Sequence, residues 1–124
     1  MSEGNNLLPM AAIVPWPSDH SAQDQARVSF DRHELSALLG LYGRKVAAGE
    51  WRDYAMDFMK DKAVFSVFRR SAEYPLYRIE KNPRLARRQG AYAVIAAAGQ
   101  VLKRGHELDR VLRVLDKPVT LVSS

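Results

Sequence analysis

The apolar residues of this chain change period once, near residue 52, and that change restricts the fold more than any other feature. From Leu35 to Val46 they recur with helical spacing, at Leu35, Leu38, Leu39, Tyr42 and Val46. Asp31 stands where an N-cap is expected and Glu34 three residues later, the pattern of a capping box. Gly49 marks the expected end of this helix. From Arg52 onward the period is two. Tyr54, Met56 and Phe58 alternate with Ala55, Asp57 and Met59, and Lys60-Asp61-Lys62 makes a polar turn. Ala63 to Arg70 is apolar on both sides, the mark of a strand interior to its sheet. Leu76 to Lys81 forms a third strand, with Tyr77 and Ile79 opposite Arg78 and Glu80.

Asn82-Pro83 then opens a short helix of two or three turns, closed by Gly90. On it, helical spacing groups Arg84, Arg87 and Arg88. Tyr92 to Ala96 and Gln100 to Arg104 read as a hairpin around Ala97-Ala98-Gly99. A last helix carries Leu108, Val111, Leu112 and Leu115 and is stopped by Pro118; Val119 to Val122 reads as an additional edge strand.

Short turns between successive strands make antiparallel ladders. The expected fold is therefore α+β: an antiparallel sheet of about five strands packed by two amphipathic helices, plus the short basic helix. Gly40 and Gly43 weaken the first helix and suggest close packing against a strand. Residues 1–26, polar and without sustained period, read as a disordered N-terminal tail in front of a single domain over 27–124. Ile13 to Pro17 within it is a candidate docking motif or an incidental apolar cluster.

The chemistry is sparse. There is no cysteine, which excludes disulfides, thiolate metal sites and cysteine nucleophiles. The three histidines, His20, His33 and His106, have no partner at metal-ligand spacing, and no serine stands in a recognisable nucleophile motif. The glycines are scattered singly, with no phosphate loop. The expectation is a protein that is not an enzyme and needs no cofactor. No positive region precedes the first apolar run, which is broken by Pro9 and Pro15, and no stretch is long enough to cross a bilayer. A cytoplasmic location follows as the expectation.

Charge is the informative signal. The chain carries a net +5, but residues 69–104 alone hold nine Lys and Arg against Glu73 and Glu80, a net of +7. The remainder has ten basic and twelve acidic residues. Seven of the nine cations are arginine, whose planar fork suits phosphate or carboxylate. Arg69, Arg70, Arg78, Arg84, Arg87, Arg88, Lys103 and Arg104 are accordingly the candidate anion-binding residues. An acidic protein surface would suit them as well as nucleic acid, and an ordinary solvated face suits them too. Trp51, between Glu50 and Arg52, reads either as a partly exposed protein-interface anchor or as a lid on the core. Two functions follow: a binding module for an anionic partner, nucleic acid slightly preferred, or a protein-interaction subunit or small homo-oligomer.

The combination Glu50-Trp51-Arg52-Asp53-Tyr54, Phe65-Ser66-Val67-Phe68-Arg69-Arg70, Pro75-Leu76-Tyr77-Arg78-Ile79-Glu80-Lys81 and Lys103-Arg104-Gly105-His106 resembles an alphaproteobacterial family known as domain of unknown function 2794. The resemblance covers about residues 28–122. It implies a bacterial cytosolic protein and brings no established activity or catalytic residues.

Overall fold

The structure, a computed structural model, describes residues 27–70 and 74–116. The N-terminal tail, the Ile13–Pro17 cluster and the expected strand at Val119–Val122 lie outside the described residues. Helix α1 spans Arg32–Ala47, and five strands follow: β1 Asp53–Phe58, β2 Ala63–Phe68, β3 Tyr77–Lys81, β4 Tyr92–Ala96 and β5 Val101–Gly105. Helix α2 spans Leu108–Asp116.

The capping box at the start of α1 is formed. The Asp31 carboxylate accepts from the Glu34 N–H, and the Glu34 carboxylate accepts from the Asp31 N–H, each at 2.8 Å. At the other end Gly49 takes a φ of +78° beyond the last turn, where a side chain would be strained.

The five strands form one antiparallel meander in the order β1-β2-β3-β4-β5. Pairing carries one row of residues across the sheet: Met56 faces Phe65, Phe65 faces Ile79, Ile79 faces Val94, and Val94 faces Lys103. Opposed residues in an antiparallel ladder lie on the same side. This row therefore defines the face on which both helices sit. Leu38 and Leu41 of α1 and Val111, Leu112 and Leu115 of α2 bury against Phe65, Val67, Ile79 and Val94. The neighbouring row, Asp57, Val64, Glu80, Ala93 and Arg104, lies on the opposite face.

Strand β2 is buried along nearly its whole length, as its apolar pattern requires. On the face away from the helices Glu80 stands beside it, with Lys62 at 3.5 Å and Arg78 at 3.9 Å.

Three expectations need correction. The segment after Asn82 is a single 3-10 turn, Pro83–Leu85, rather than a helix of two or three turns. Arg87 and Arg88 lie in the turns that follow it. Gly40 and Gly43 are exposed; a Cβ at Gly43 would meet nothing within 4 Å, so neither packs against a strand. Trp51 is 3% exposed, with its ring between Tyr42 and Tyr77 at 6.4 Å from each. It lids the core and offers no interface anchor.

Candidate anion-binding surface

In a meander, alternate strand ends meet. The C-terminal ends of β3 and β5 and the N-terminal end of β4 share one end of the sheet. The connection from Asn82 to Ala91 leaves from that end, closed at its base by the Asn82 N–H donating to the Ala91 carbonyl at 2.7 Å. The Asn82 side chain caps the Arg84 N–H. The N–H groups of Arg88, Gln89 and Gly90 all converge on the Leu85 carbonyl, which winds the loop tightly.

Gly90 sets where this loop sits. It is buried, has a φ of +106°, and a Cβ there would lie 2.2 Å from the carbonyl carbon and oxygen of Gly105. Backbone meets backbone with no room for a methyl group. The arginine loop is thereby pressed onto the end of β5, just past Lys103 and Arg104.

A second device holds the same end from beneath. Glu34 is only 4% exposed. Its Oε1 accepts from Lys81 Nζ at 2.8 Å, and its Oε2 accepts from the Tyr92 hydroxyl. Lys81 also donates to the Ser29 carbonyl at 2.8 Å. One carboxylate thus ties the α1 N-terminus to the ends of β3 and β4. A buried charge needs this degree of partnering. Burial, followed by the hydrogen bond to Glu34, pushes the Tyr92 phenol above its ordinary pKa of 10.0.

Of the eight cations singled out in the sequence, five lie on the two segments that approach each other here: Arg84, Arg87 and Arg88 on the Asn82–Ala91 connection, and Lys103 and Arg104 on β5. None of the five has an ion pair among the described residues, and all are at least partly exposed. Lys103 pairs with Val94 and so lies on the helix-bearing face; Arg104 pairs with Ala93 and lies on the other.

The other three are elsewhere. Arg69 and Arg70 follow the last residue of β2, at the opposite end, roughly 17–20 Å away along the strands. They do not join Lys103 and Arg104. Arg78 stands beside Glu80 in mid-sheet.

The fold adds three polar residues that lie outside the basic segment, His106, Glu107 and Arg110. Lys103, Arg104, His106, Glu107 and Arg110 line a cleft of about 290 Å³ where β5 runs into α2. Arg110 also pairs with Glu107 at 3.1 Å, and both are well exposed. Their membership depends on α2 returning across this corner, which no spacing in the sequence reveals. Among the described residues no group of three or more His, Cys, Asp or Glu is arranged to hold a metal ion.

Residues 28–112 match the family described as Protein of unknown function (DUF2794). The chain belongs to this family. The DUF2794 match takes in all five strands, the arginine loop and the cleft, and stops within α2. No curated protein and no solved structure matches the chain. Among the described residues, no helix is long and apolar enough to cross a membrane.

Proposed function

We propose that this DUF2794 protein is a non-enzymatic binding module of the bacterial cytoplasm that presents its cationic corner to an anionic partner, nucleic acid by preference. What supports the reading is that the loop bearing Arg84, Arg87 and Arg88 packs against the end of the strand bearing Lys103 and Arg104, and that none of the five has an ion pair among the described residues. Charges neutralised within the protein have little left to offer a ligand; these have not been neutralised. Their distribution around the sheet corner fits a chain of phosphates better than a single carboxylate. Each phosphate neutralised releases condensed counterions, which supplies affinity and makes it salt-dependent.

The exposed aromatic residues Tyr54 and Phe58 lie on β1, at the far edge of the sheet, and Tyr74 precedes β3 at its far end. Base stacking therefore has little support at the corner, and the protein is expected to grip backbone phosphates, with weak sequence preference.

Anisotropy titrations of labelled duplex and single-stranded oligonucleotides against the full chain test this. Five phosphates neutralised on duplex imply a fall of about 500-fold in affinity between 50 and 200 mM salt. Charge reversal at Arg87 and Arg88 should weaken binding and flatten that dependence, by about 1 in slope for each phosphate no longer held. Reversal at Arg69 and Arg70 should do neither. A folded protein that binds no oligonucleotide at 50 mM salt would remove the nucleic-acid reading.

A further inference from the structure

Both helices bury against one side of the sheet. On the other side, pairing lines up Ser66, Arg78 and Ile95 in one row and Val64, Glu80 and Ala93 in the next. An antiparallel sheet with one face on its core usually turns polar side chains outward on the other, so its strands alternate. Strands β2 and β4 do not alternate. Ala93 is 0% exposed, Val64 5%, Ile95 6% and Ser66 7%, and none of the four belongs to the core that the helices close. At the two edges of this same face Ala55, Asp57 and Val101 are exposed. The sealed ground is therefore a strip over β2, β3 and β4, roughly 10 Å from the first strand to the last.

Arg78, in the middle of the strip, reports the same cover from a polar atom. Its Nε is buried and has no hydrogen-bond partner among the described residues, with Glu80 Oε2 at 3.9 Å. On an open face that N–H would donate to water, and a buried donor left unpaired is costly.

We propose that the strip is the docking site of this chain's own N-terminal segment, residues 7–17. The described chain begins at the rim of the sheet, where Arg27 donates to the Phe58 carbonyl at 2.8 Å and Val28 to the Met59 carbonyl at 2.7 Å. One side of that rim is filled by α1 and α2, and the other leads onto the strip. Eleven residues separate Trp16 from Arg27. Extended, they reach up to about 36 Å, while five strands span about 19 Å. Leu7, Leu8, Met10, Ile13, Val14 and Trp16 supply apolar side chains for Val64, Ala93 and Ile95. Pro9, Pro15 and Pro17 favour extended backbone whose carbonyls have no internal partner, which suits the unpaired Arg78 donor. No Lys or Arg precedes Arg27, so the segment brings no cation against that guanidinium. The width of the strip also selects the occupant. A second sheet stacked here would cover β1 and β5 as well, whereas three strands are the width of one chain segment. The other end of the chain leaves from α2 on the far side of the sheet, where Asp116 pairs with Arg44 at 2.9 Å.

The absence of cysteine gives a direct test, because a single introduced thiol reports cover. Ser66→Cys places one in the strip with little change of volume, and Ala55→Cys, opposite it on β1, places one on the exposed edge. In the full chain the Ser66→Cys thiol should react with DTNB at least about tenfold more slowly than the Ala55→Cys thiol, since thiol reactivity follows exposure. Adding Ile13→Ser, Val14→Ser and Trp16→Ser should bring the two rates together, with the circular dichroism spectrum unchanged. Equal rates in the chain with its natural N-terminal segment would overturn the proposal, because the strip would then be open. So would a slow rate that survives the three serine substitutions. A rate that slows further as protein concentration rises would overturn it too, by assigning the cover to a second copy. No oligonucleotide enters these measurements, so they are separable from the test of anion binding.

Discussion

Replacing Gly90 with alanine tests the device that positions the arginine loop, and Gly99 supplies its control. Both glycines have positive φ, +106° and +94°, so a side chain at either incurs a backbone cost of about 1–3 kcal/mol. They differ in surroundings. A Cβ at Gly99 meets nothing within 4 Å, whereas at Gly90 it lies 2.2 Å from the Gly105 carbonyl carbon and oxygen and 2.7 Å from its Cα. That clash cannot relax by rotating a side chain, because Gly105 is held in the ladder opposite Tyr92. Overpacking of this kind adds about 1–3 kcal/mol. Gly90→Ala should therefore cost about 2 kcal/mol more than Gly99→Ala, a further 8–16 °C in Tm for a domain of about this size. Urea titrations followed by far-ultraviolet circular dichroism give both values, with equal m-values as the check on two-state unfolding. Equal destabilisation of the two variants would refute the close backbone approach, and with it the account of how Arg84, Arg87 and Arg88 reach the end of β5.

Two further outcomes follow from the fold. Gly43→Ala should stabilise the protein by about 1 kcal/mol, since the position is helical, exposed and open; destabilisation in the same urea series would reveal a packing role for Gly43. Because Tyr92 titrates above its ordinary pKa of 10.0 in the folded state, its contribution is fully present below pH 10 and is lost as pH rises beyond it. The slope for one such group is about 1.4 kcal/mol per pH unit, and Tyr92→Phe should remove it from a stability profile taken above pH 10. Burial raises Tyr42 as well, so part of the alkaline destabilisation should persist in that variant.

The fold is legible in the sequence because it is local. Each strand of a meander pairs with its sequence neighbour, so period-two runs separated by short turns determine both the elements and their order. The capping box is legible for the same reason, Asp31 and Glu34 being one turn apart. What Glu34 does besides is not. Lys81 and Tyr92, its other partners, lie 47 and 58 residues away, and no pattern in the sequence marks that distance. Trp51 misleads through its polar neighbours. Local composition points outward, while the packing of Tyr42 and Tyr77 around the indole turns it in. The Asn82–Gly90 segment reads as a longer helix because its cap and first proline are genuine helix signals. Closure of the loop by Asn82 and Ala91, and the close approach of Gly90 to Gly105, leave space for one turn.

The charge of the basic segment is legible in sum, but not which of its cations share an end of the sheet. Net charge along the sequence treats Arg69 and Arg104 alike, but successive antiparallel strands run in opposite directions, and residues one hairpin apart can finish at opposite ends of the sheet. The same alternation explains why the two edges differ. Lys103 and Arg104 project to opposite faces of β5 and charge both sides of that edge. Asp53 and Asp57, four residues apart, project to a single face of β1 and leave the other to Tyr54, Met56 and Phe58. An edge whose charges share one face is protected on that face alone.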